Sequence, residues 1–231
     1  MVNTIIDYLQ GMNDGAVAIR LVLATLCGSL IGWERVVRRH SAGIRTFALV
    51  SLGSAVATVL NLYLAILPNM EADVSRIPAG VVSGIGFLGA GTIIVTGRNQ
   101  IKGLTTAASL WVASCMGMAF GAGYVFVGFV CFALVMIANV VLVHVSQQIE
   151  ENSRYVSIYI EVEETNGVKK LRKKFSEMGY SISSMNKTKD KTLSGSDTAL
   201  MIELDFGSKH SHQELLDALN NLDFVSYVEE V

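Results

Sequence analysis

The chain has 231 residues, of which 51% are apolar and only 16% are charged, with a mean hydropathy of +0.46. Soluble proteins carry about 25% charged residues, so this composition is typical of a membrane protein. The charge is uneven, because residues 1–145 have a net charge of +3 and residues 146–231 one of −5. The polar part has no basic excess, which argues against a nucleic-acid-binding role.

Five apolar runs are long enough to form transmembrane helices, which need about 20 residues each. The predicted spans are residues 15–33, 44–67, 78–95, 104–120 and 124–145, which together form an all-α transmembrane domain over residues 1–145. The loop of residues 34–45 carries four arginines, and the loop of residues 96–103 carries Arg98 and Lys102. Because basic loops stay in the cytoplasm, we predict that the N-terminus lies outside and the C-terminus inside.

The third run, residues 78–95, is distinctive because it is rich in glycine and free of charge. On a helical wheel its small residues form a broad face apart from the bulky ones. The predicted packing residues are Gly80, Ser83, Gly84, Gly86, Gly89, Ala90 and Gly91. Small residues let helices approach closely in lipid, so this face is predicted to pack inside a bundle. The same close approach could also build a site or a mobile seam, or join two copies of the chain.

Charged residues in or beside the first span are candidates for function, because charge is costly in lipid. Arg20 and Glu34 are 14 residues apart, which is about 21 Å along a helix and too far for pairing. We expect Arg20 to point outward, or to meet Asp14 or another helix. We expect Glu34 to pair with Arg38 at i+4, or with Arg45. The Glu34 cluster is then either an anchor for two helix ends or a cytoplasmic polar site.

The stretch GLTTAASLWVA (residues 103–113) presents a second surface of small residues. We expect it to pack against the third span. Its Thr105 and Thr106 are expected to satisfy backbone groups in the first turn of the fourth helix.

Catalytic and metal-binding patterns are missing from the sequence. The spans hold no interior acid, with Glu34 at one edge, so we expect no magnesium site built from protein oxygens alone. Neutral hydroxyl and amide side chains leave open a hydrated path through the spans. The four histidines lie at no recognisable spacing from a nucleophile, and we find no phosphate loop or zinc motif. We therefore predict neither an enzyme nor a cofactor.

Beyond the spans, residues 146–154 form a predicted linker and residues 155–231 a separate α+β domain. Alternating patterns predict strands at residues 155–163, 180–189, 198–206 and 224–231, and helical spacing predicts helices at 167–179 and 211–222. The resulting order is β-α-β-β-α-β, the split βαβ arrangement. We expect a four-stranded antiparallel sheet with both helices on one face, and with Leu171 and Phe175 pointing inward.

Four blocks in order resemble the MgtC/SapB family of bacterial inner-membrane proteins: GSLIGWER (28–35), SAGIRTFALVSLGSA (41–55), VVSGIGFLGAGTI (81–93) and GLTTAASLWVA (103–113). The resemblance covers about residues 12–145 and implies location in the bacterial plasma membrane. Its signature positions supply the candidate functional or binding residues Arg20, Glu34, Arg35, Arg45, Thr46, Thr105 and Thr106.

The resemblance implies a regulator linked to adaptation to magnesium limitation and, in pathogens, to virulence and survival inside macrophages. Such a regulator is expected to act partly by inhibiting the F-type ATP synthase and thereby affecting membrane potential. The family's C-terminal domain is similar to ACT-type ligand-sensing modules, which agrees with the pattern of residues 155–231. The alternative is a transporter of Mg²⁺ or another cation, gated by the cytoplasmic domain. Either protein is expected to be a homodimer.

Overall fold

The computed structural model describes residues 7–68, 73–96, 101–150, 153–163, 166–188, 197–207 and 212–230. Contacts divide the chain into two compact units, Met1–Leu142 and Val143–Val231. The first unit is built from the helices α1 (Asp14–Val37), α2 (Ile44–Ile66), α3 (Arg76–Ala90) and α4 (Leu104–Gly121) and from the part of α5 (Val125–Glu150) that ends at Leu142. By length and composition, α1, α2, α4 and the Val125–Ser146 part of α5 can each cross a membrane. The chain is therefore a membrane protein.

The helices α1 and α2 touch through their backbones because glycine stands at the contact. A Cβ on Gly28 would lie 2.6 Å from the Phe47 carbonyl oxygen, and one on Gly32 would lie 2.6 Å from Ile44 Cα. The contact therefore moves backwards along α2 as it moves forwards along α1. The two helices are antiparallel, and the end of α1 lies beside the start of α2.

The helices α2 and α4 also meet backbone to backbone, but they run in the same direction. A Cβ on Gly117 would lie 2.2 Å from the Ser51 carbonyl oxygen, and one on Gly121 would lie 2.4 Å from the Ala55 carbonyl oxygen. Both helices consequently begin at the same end of the unit, where α1 finishes.

The helix α3 is shorter than the sequence predicts. It ends at Ala90 rather than at Val95. The chain then turns, with Thr92 Oγ1 donating to the Gly89 carbonyl at 2.7 Å. It continues into the short antiparallel strands β1 (Ile94–Val95) and β2 (Ile101–Lys102). The predicted loop at residues 96–103 thus includes one strand of a hairpin.

Contacts at its two ends fix the direction of α3. At its start, Asn61 Nδ2 of α2 donates to the Val74 carbonyl at 2.8 Å. At its end, a Cβ on Gly89 would lie 3.4 Å from Ala107 Cβ, in the second turn of α4. The helix therefore carries the chain from the end of α2 back to the start of α4.

The second unit contains the strands β3 (Tyr155–Val162), β4 (Ser181–Lys187), β5 (Thr198–Asp205) and β6 (Val225–Glu230), with the helices α6 (Gly167–Glu177) and α7 (His212–Asn220). The strands form an antiparallel sheet in the order β4-β5-β3-β6, which confirms the predicted four-stranded sheet. Residues 189–196, between β4 and β5, lie outside the described residues. The helix α5 continues to Glu150, into the segment predicted as a linker.

One face of this sheet forms the core of the second unit. Ile158 and Ile160 alternate along β3 and share a cluster with Ile202 of β5. Leu171 and Phe175 of α6 are fully buried in the same cluster, as predicted. The cluster also takes in Leu215 and Leu219 of α7, so both helices cover the same face of the sheet.

Candidate functional site

Arg20 is fully buried near the start of α1, with 0% of its surface exposed. Its Nη2 donates to the Gly11 carbonyl at 3.1 Å and lies 3.8 Å from Met12 Sδ. Its Nε and Nη1 have no hydrogen-bond partner among the residues that the structure describes. Asp14 is exposed. Of the three expected arrangements, pairing with Asp14 is therefore wrong. The guanidinium reaches back to the segment before α1 and also lies beside Gly123, just past the end of α4.

Arg35 lies at the other end of α1 and is only 1% exposed. Its Nη2 is 3.5 Å from Thr106 Oγ1, in the first turn of α4. Its Nη1 is 3.9 Å from Glu34 Oε2. Glu34 has a closer partner in Arg38, whose Nε lies 2.7 Å from Oε1, and this confirms the predicted i,i+4 pair. The structure thus joins Glu34, Arg35 and Thr106 in one cluster.

The buried face of α1 runs from Arg20 through Ala24, Cys27 and Ile31 to Arg35. The close approach of Gly32 to the start of α2 explains this, because it turns that side of the helix towards its neighbours.

His40 follows α1, outside the spans, and shares the surroundings of this cluster. Burial lowers the pKa of His40, and the nearby Arg35 guanidinium lowers it further, while Glu34 acts in the opposite direction. The imidazole is therefore kept neutral at pH 7, and the arginines carry the positive charge here.

Three other predicted site residues do not share the burial of this cluster. Arg45, Thr46 and Thr105 are exposed. The N-cap of α4 is Gly103, and no side chain caps the helix there. The expected capping by Thr105 and Thr106 is therefore wrong, since the Thr106 hydroxyl instead faces Arg35.

The small residues of α3 divide into two groups. Gly89 is buried and contacts Ala107 of α4, as expected for a packing residue. In contrast, a Cβ on Gly80, Gly84 or Gly86 would find no atom within 4 Å. The remaining predicted packing residues, Ser83, Ala90 and Gly91, are exposed. Most of the small-residue face is thus uncovered by the residues that the structure describes.

A column of buried hydroxyl and amide groups lies along α2, and the sequence predicted it only in part. The residues Ser51, Ser54, Thr58 and Asn61 repeat every three or four positions along α2 and are all buried. Ser54 Oγ lies 2.8 Å from Ser114 Oγ of α4. Helical spacing of the hydroxyl residues was the signal that could have revealed this column.

A groove beside this column lies between α2, α3 and α4. Its volume is about 390 Å³, and its lining includes Gly53, Ser54, Gly84 and Ser114. The groove thus places the hydroxyl pair next to the glycine-rich helix. Among the described residues, no group of three His, Cys, Asp or Glu side chains could hold a metal ion.

Comparison with known proteins shows the family to which the helical unit belongs. The sequence profile of the MgtC family matches residues 21–148, more than half of the chain. The chain belongs to the MgtC family. The matched region contains Glu34, Arg35 and Thr106, whereas Arg20 lies one residue before it.

Two named relatives and one uncharacterized relative illustrate the similarity. The chain is 39% identical over 133 residues to Protein MgtC of Salmonella typhimurium, covering 58% of this chain and 55% of that protein. It is 45% identical over 109 residues to the Escherichia coli K12 protein named "Putative magnesium transporter YhiD", covering 46% of this chain and 50% of that protein. An uncharacterized protein of Haemophilus influenzae is 36% identical over 124 residues, covering 52% of each chain. The chain spans about half the length of the curated relatives it matches, and no solved structure matches it significantly.

Proposed function

We propose that this MgtC-family chain is a membrane regulator linked to adaptation to magnesium limitation and to survival inside macrophages. It acts by engaging a membrane complex, for which the F-type ATP synthase is the candidate implied by the family resemblance, and so modulates membrane potential. It performs no catalysis of its own. Family membership and the similarity to Protein MgtC support this assignment.

The uncovered face of α3 carries this proposal. Gly80, Gly84 and Gly86 have no neighbour at their Cβ positions, and Phe87 on the same helix is 83% exposed. Helices that associate in lipid use such small residues to bring their backbones close together. This face is therefore where a partner helix docks, either from the target complex or from a second copy in a homodimer.

The proposed topology has five crossings in the bacterial inner membrane, with the N-terminus outside. The direction of α3, from the end of α2 to the start of α4, supports a crossing at this point. Its 15 residues span about 22 Å, so the apolar residues up to Val95 complete the crossing of a core about 30 Å thick. The second unit then lies in the cytoplasm. Its sheet order β4-β5-β3-β6, with two helices on one face, supports an ACT-like ligand-sensing role.

A transporter of Mg²⁺ or another cation, gated by the second unit, is the alternative. It is favoured by the buried hydroxyl column of α2 and by the groove whose lining includes the buried Ser54 and Ser114. The name of the YhiD relative points the same way.

Ion flux separates the two functions. The full chain in proteoliposomes is tested with Mg²⁺, K⁺ and H⁺ separately, with Glu34→Gln as the matched variant. The regulator predicts no flux of any ion. Flux that disappears in Glu34→Gln would overturn the regulator in favour of the transporter.

A second experiment tests the α3 surface in a bacterial host that lacks its own MgtC-family protein. Because the Gly86 Cβ position is open, Gly86→Leu is expected to keep wild-type thermal stability but to lose support of growth at low magnesium. Ala133→Leu is the control, since Ala133 is also exposed but lies on α5. Growth equal to wild type with Gly86→Leu would refute docking at this face.

A further inference from the structure

The geometry at the start of the bundle points to a binding site for an anionic amphiphile, a molecule with one oxyanion head and an apolar body. A cavity of about 250 Å³ opens there, with Gln10 and Gly123 on its polar side and Val125 and Phe126 among its apolar walls. Nothing in the proposed regulatory or transport role uses this cavity.

A buried positive charge lies directly behind the cavity wall. Gly123 lines the cavity, and a Cβ at this position would lie 2.8 Å from Arg20 Nη1. The φ of Gly123 is +86°, a conformation that favours glycine, and it forms the turn after α4. Because residue 123 has no side chain, only its backbone stands between the cavity and the guanidinium at this position.

Arg20 has hydrogen-bond donors that no described residue uses. Its Nε and Nη1 are buried without partners among the described residues, and an unsatisfied buried donor on a charged group is costly. The end of α4 does not use them, because its carbonyls at Met118, Ala119 and Phe120 already accept from the backbone N–H groups of residues 122–124. An oxyanion at the cavity wall would satisfy both the charge and the free donors.

The start of α5 adds a second attraction for an anion. This helix begins at Val125, and its first helical bond runs from Gly128 N to the Tyr124 carbonyl. The N–H groups of residues 125–127 precede that bond, so helical geometry leaves them without intrahelical partners. The N-terminus of a long helix carries a partial positive charge and binds anions. Val125 and Phe126 place this N-terminus on the cavity.

The apolar walls define the rest of the ligand. Phe126 and Phe129 line the cavity, and Phe126 is 78% exposed. In a bilayer this surface faces acyl chains. The ligand is therefore an oxyanion with an acyl tail, supplied either by an anionic phospholipid or by a free fatty acid.

Thermal unfolding of the full chain in a nonionic detergent tests the site. Decanoate is expected to raise the unfolding midpoint in a saturable way, whereas decanol, which has the same tail, and acetate, which has the same head, are expected to leave it unchanged. Gln10→Glu adds a negative charge at the exposed rim of the cavity and should weaken decanoate binding by about tenfold, with screening by salt reducing the effect. Gln213→Glu makes the same change on an exposed residue of the second unit and should have no effect.

Unfolding midpoints measured in nanodiscs distinguish a bilayer lipid from a free fatty acid as the source of the oxyanion. If a bilayer lipid supplies the oxyanion, phosphatidylglycerol raises the midpoint over phosphatidylcholine, and decanoate adds nothing further. If a free fatty acid does so, decanoate raises the midpoint equally in both lipids. Arg20→Gln should abolish either effect, and Gln10→Glu provides the test if that variant does not fold. Equal responses to decanoate and decanol, with no preference for phosphatidylglycerol, would overturn the proposal.

Discussion

Arg20 and Arg35 are both buried on α1, yet they reach opposite ends of α4. Arg20 lies beside Gly123, just past the end of α4, and Arg35 lies beside Thr106, in its first turn. A helix has a negative partial charge at its C-terminus and a positive one at its N-terminus. The surroundings of Arg20 thus favour a cation, whereas Arg35 relies on Glu34 and on the end of α1 itself.

The ion pair of Glu34 and Arg38 predicts that a substitution at Glu34 restores stability lost by a substitution at Arg38. Arg38→Gln should lower the free energy of unfolding by about 1–3 kcal/mol, because it leaves the Glu34 carboxylate buried with only the more distant Arg35. Adding Glu34→Gln should recover part of this loss, since it removes the uncompensated carboxylate but also takes from the buried Arg35 its acidic neighbour. The measurement is thermal unfolding of the three variants in detergent. A double variant no more stable than Arg38→Gln would show that the ion pair is not the cause.

The contact between α2 and α4 predicts that adding a methyl group lowers the stability of the helical unit at a glycine in the contact but not at one outside it. Gly117→Ala should destabilise the helical unit by about 1–3 kcal/mol, because its Cβ would lie 2.2 Å from the Ser51 carbonyl oxygen. Gly53→Ala makes the same change where no atom lies within 4 Å, and should be neutral or stabilising. The unfolding midpoints of the two variants are to be compared in one detergent. Equal midpoints would contradict this backbone contact.

The hydroxyl pair of α2 and α4 should show energetic coupling. A double-mutant cycle with Ser54→Ala and Ser114→Ala is expected to give about 0.6–1 kcal/mol, the range for a hydrogen bond between membrane helices. The free energies of unfolding come from denaturant titration of the four proteins. Strict additivity of the two single changes would mean that the hydroxyls do not interact.

In the second unit, the ion pair between Arg154 and Asp205 predicts that the stability of the protein depends on pH. Arg154 binds it through Nε at 2.5 Å and Nη2 at 2.6 Å, and these bonds, with one from the Gly207 N–H, lower the pKa of Asp205. A lowered pKa in the folded state contributes stability above the ordinary Asp pKa of about 4, and this stability is lost as the pH falls through the lowered value. Asp205→Asn should therefore unfold at a lower temperature than the wild type at pH 7, with the difference shrinking below about pH 4.

The matched control for this measurement is Asp223→Asn, which makes the same change at another exposed position of the second unit. Circular dichroism of the full chain at several pH values gives the midpoints. A difference between Asp205→Asn and the wild type that stays constant with pH would exclude the ion pair as its origin.

Periodicity was sufficient to predict the second unit, because Leu171 and Phe175 sit on a helix whose opposite face is strongly polar. It was less informative for membrane helices, where apolar residues surround the whole helix and do not mark the buried side. The helical wheel emphasised the glycines of α3, whereas tight backbone contacts within the chain are formed by Gly28 and Gly32 of α1 and by Gly117 and Gly121 of α4. Their four-residue spacing is the small-residue signal that was present in the sequence.

The glycine contacts leave no side chain between α2 and its neighbours α1 and α4 at four points, Gly28, Gly32, Gly117 and Gly121. Packed helices slide past each other in shear motions through small adjustments of the side chains between them. Sliding of α2 against α1 or α4 is therefore restricted at these four points.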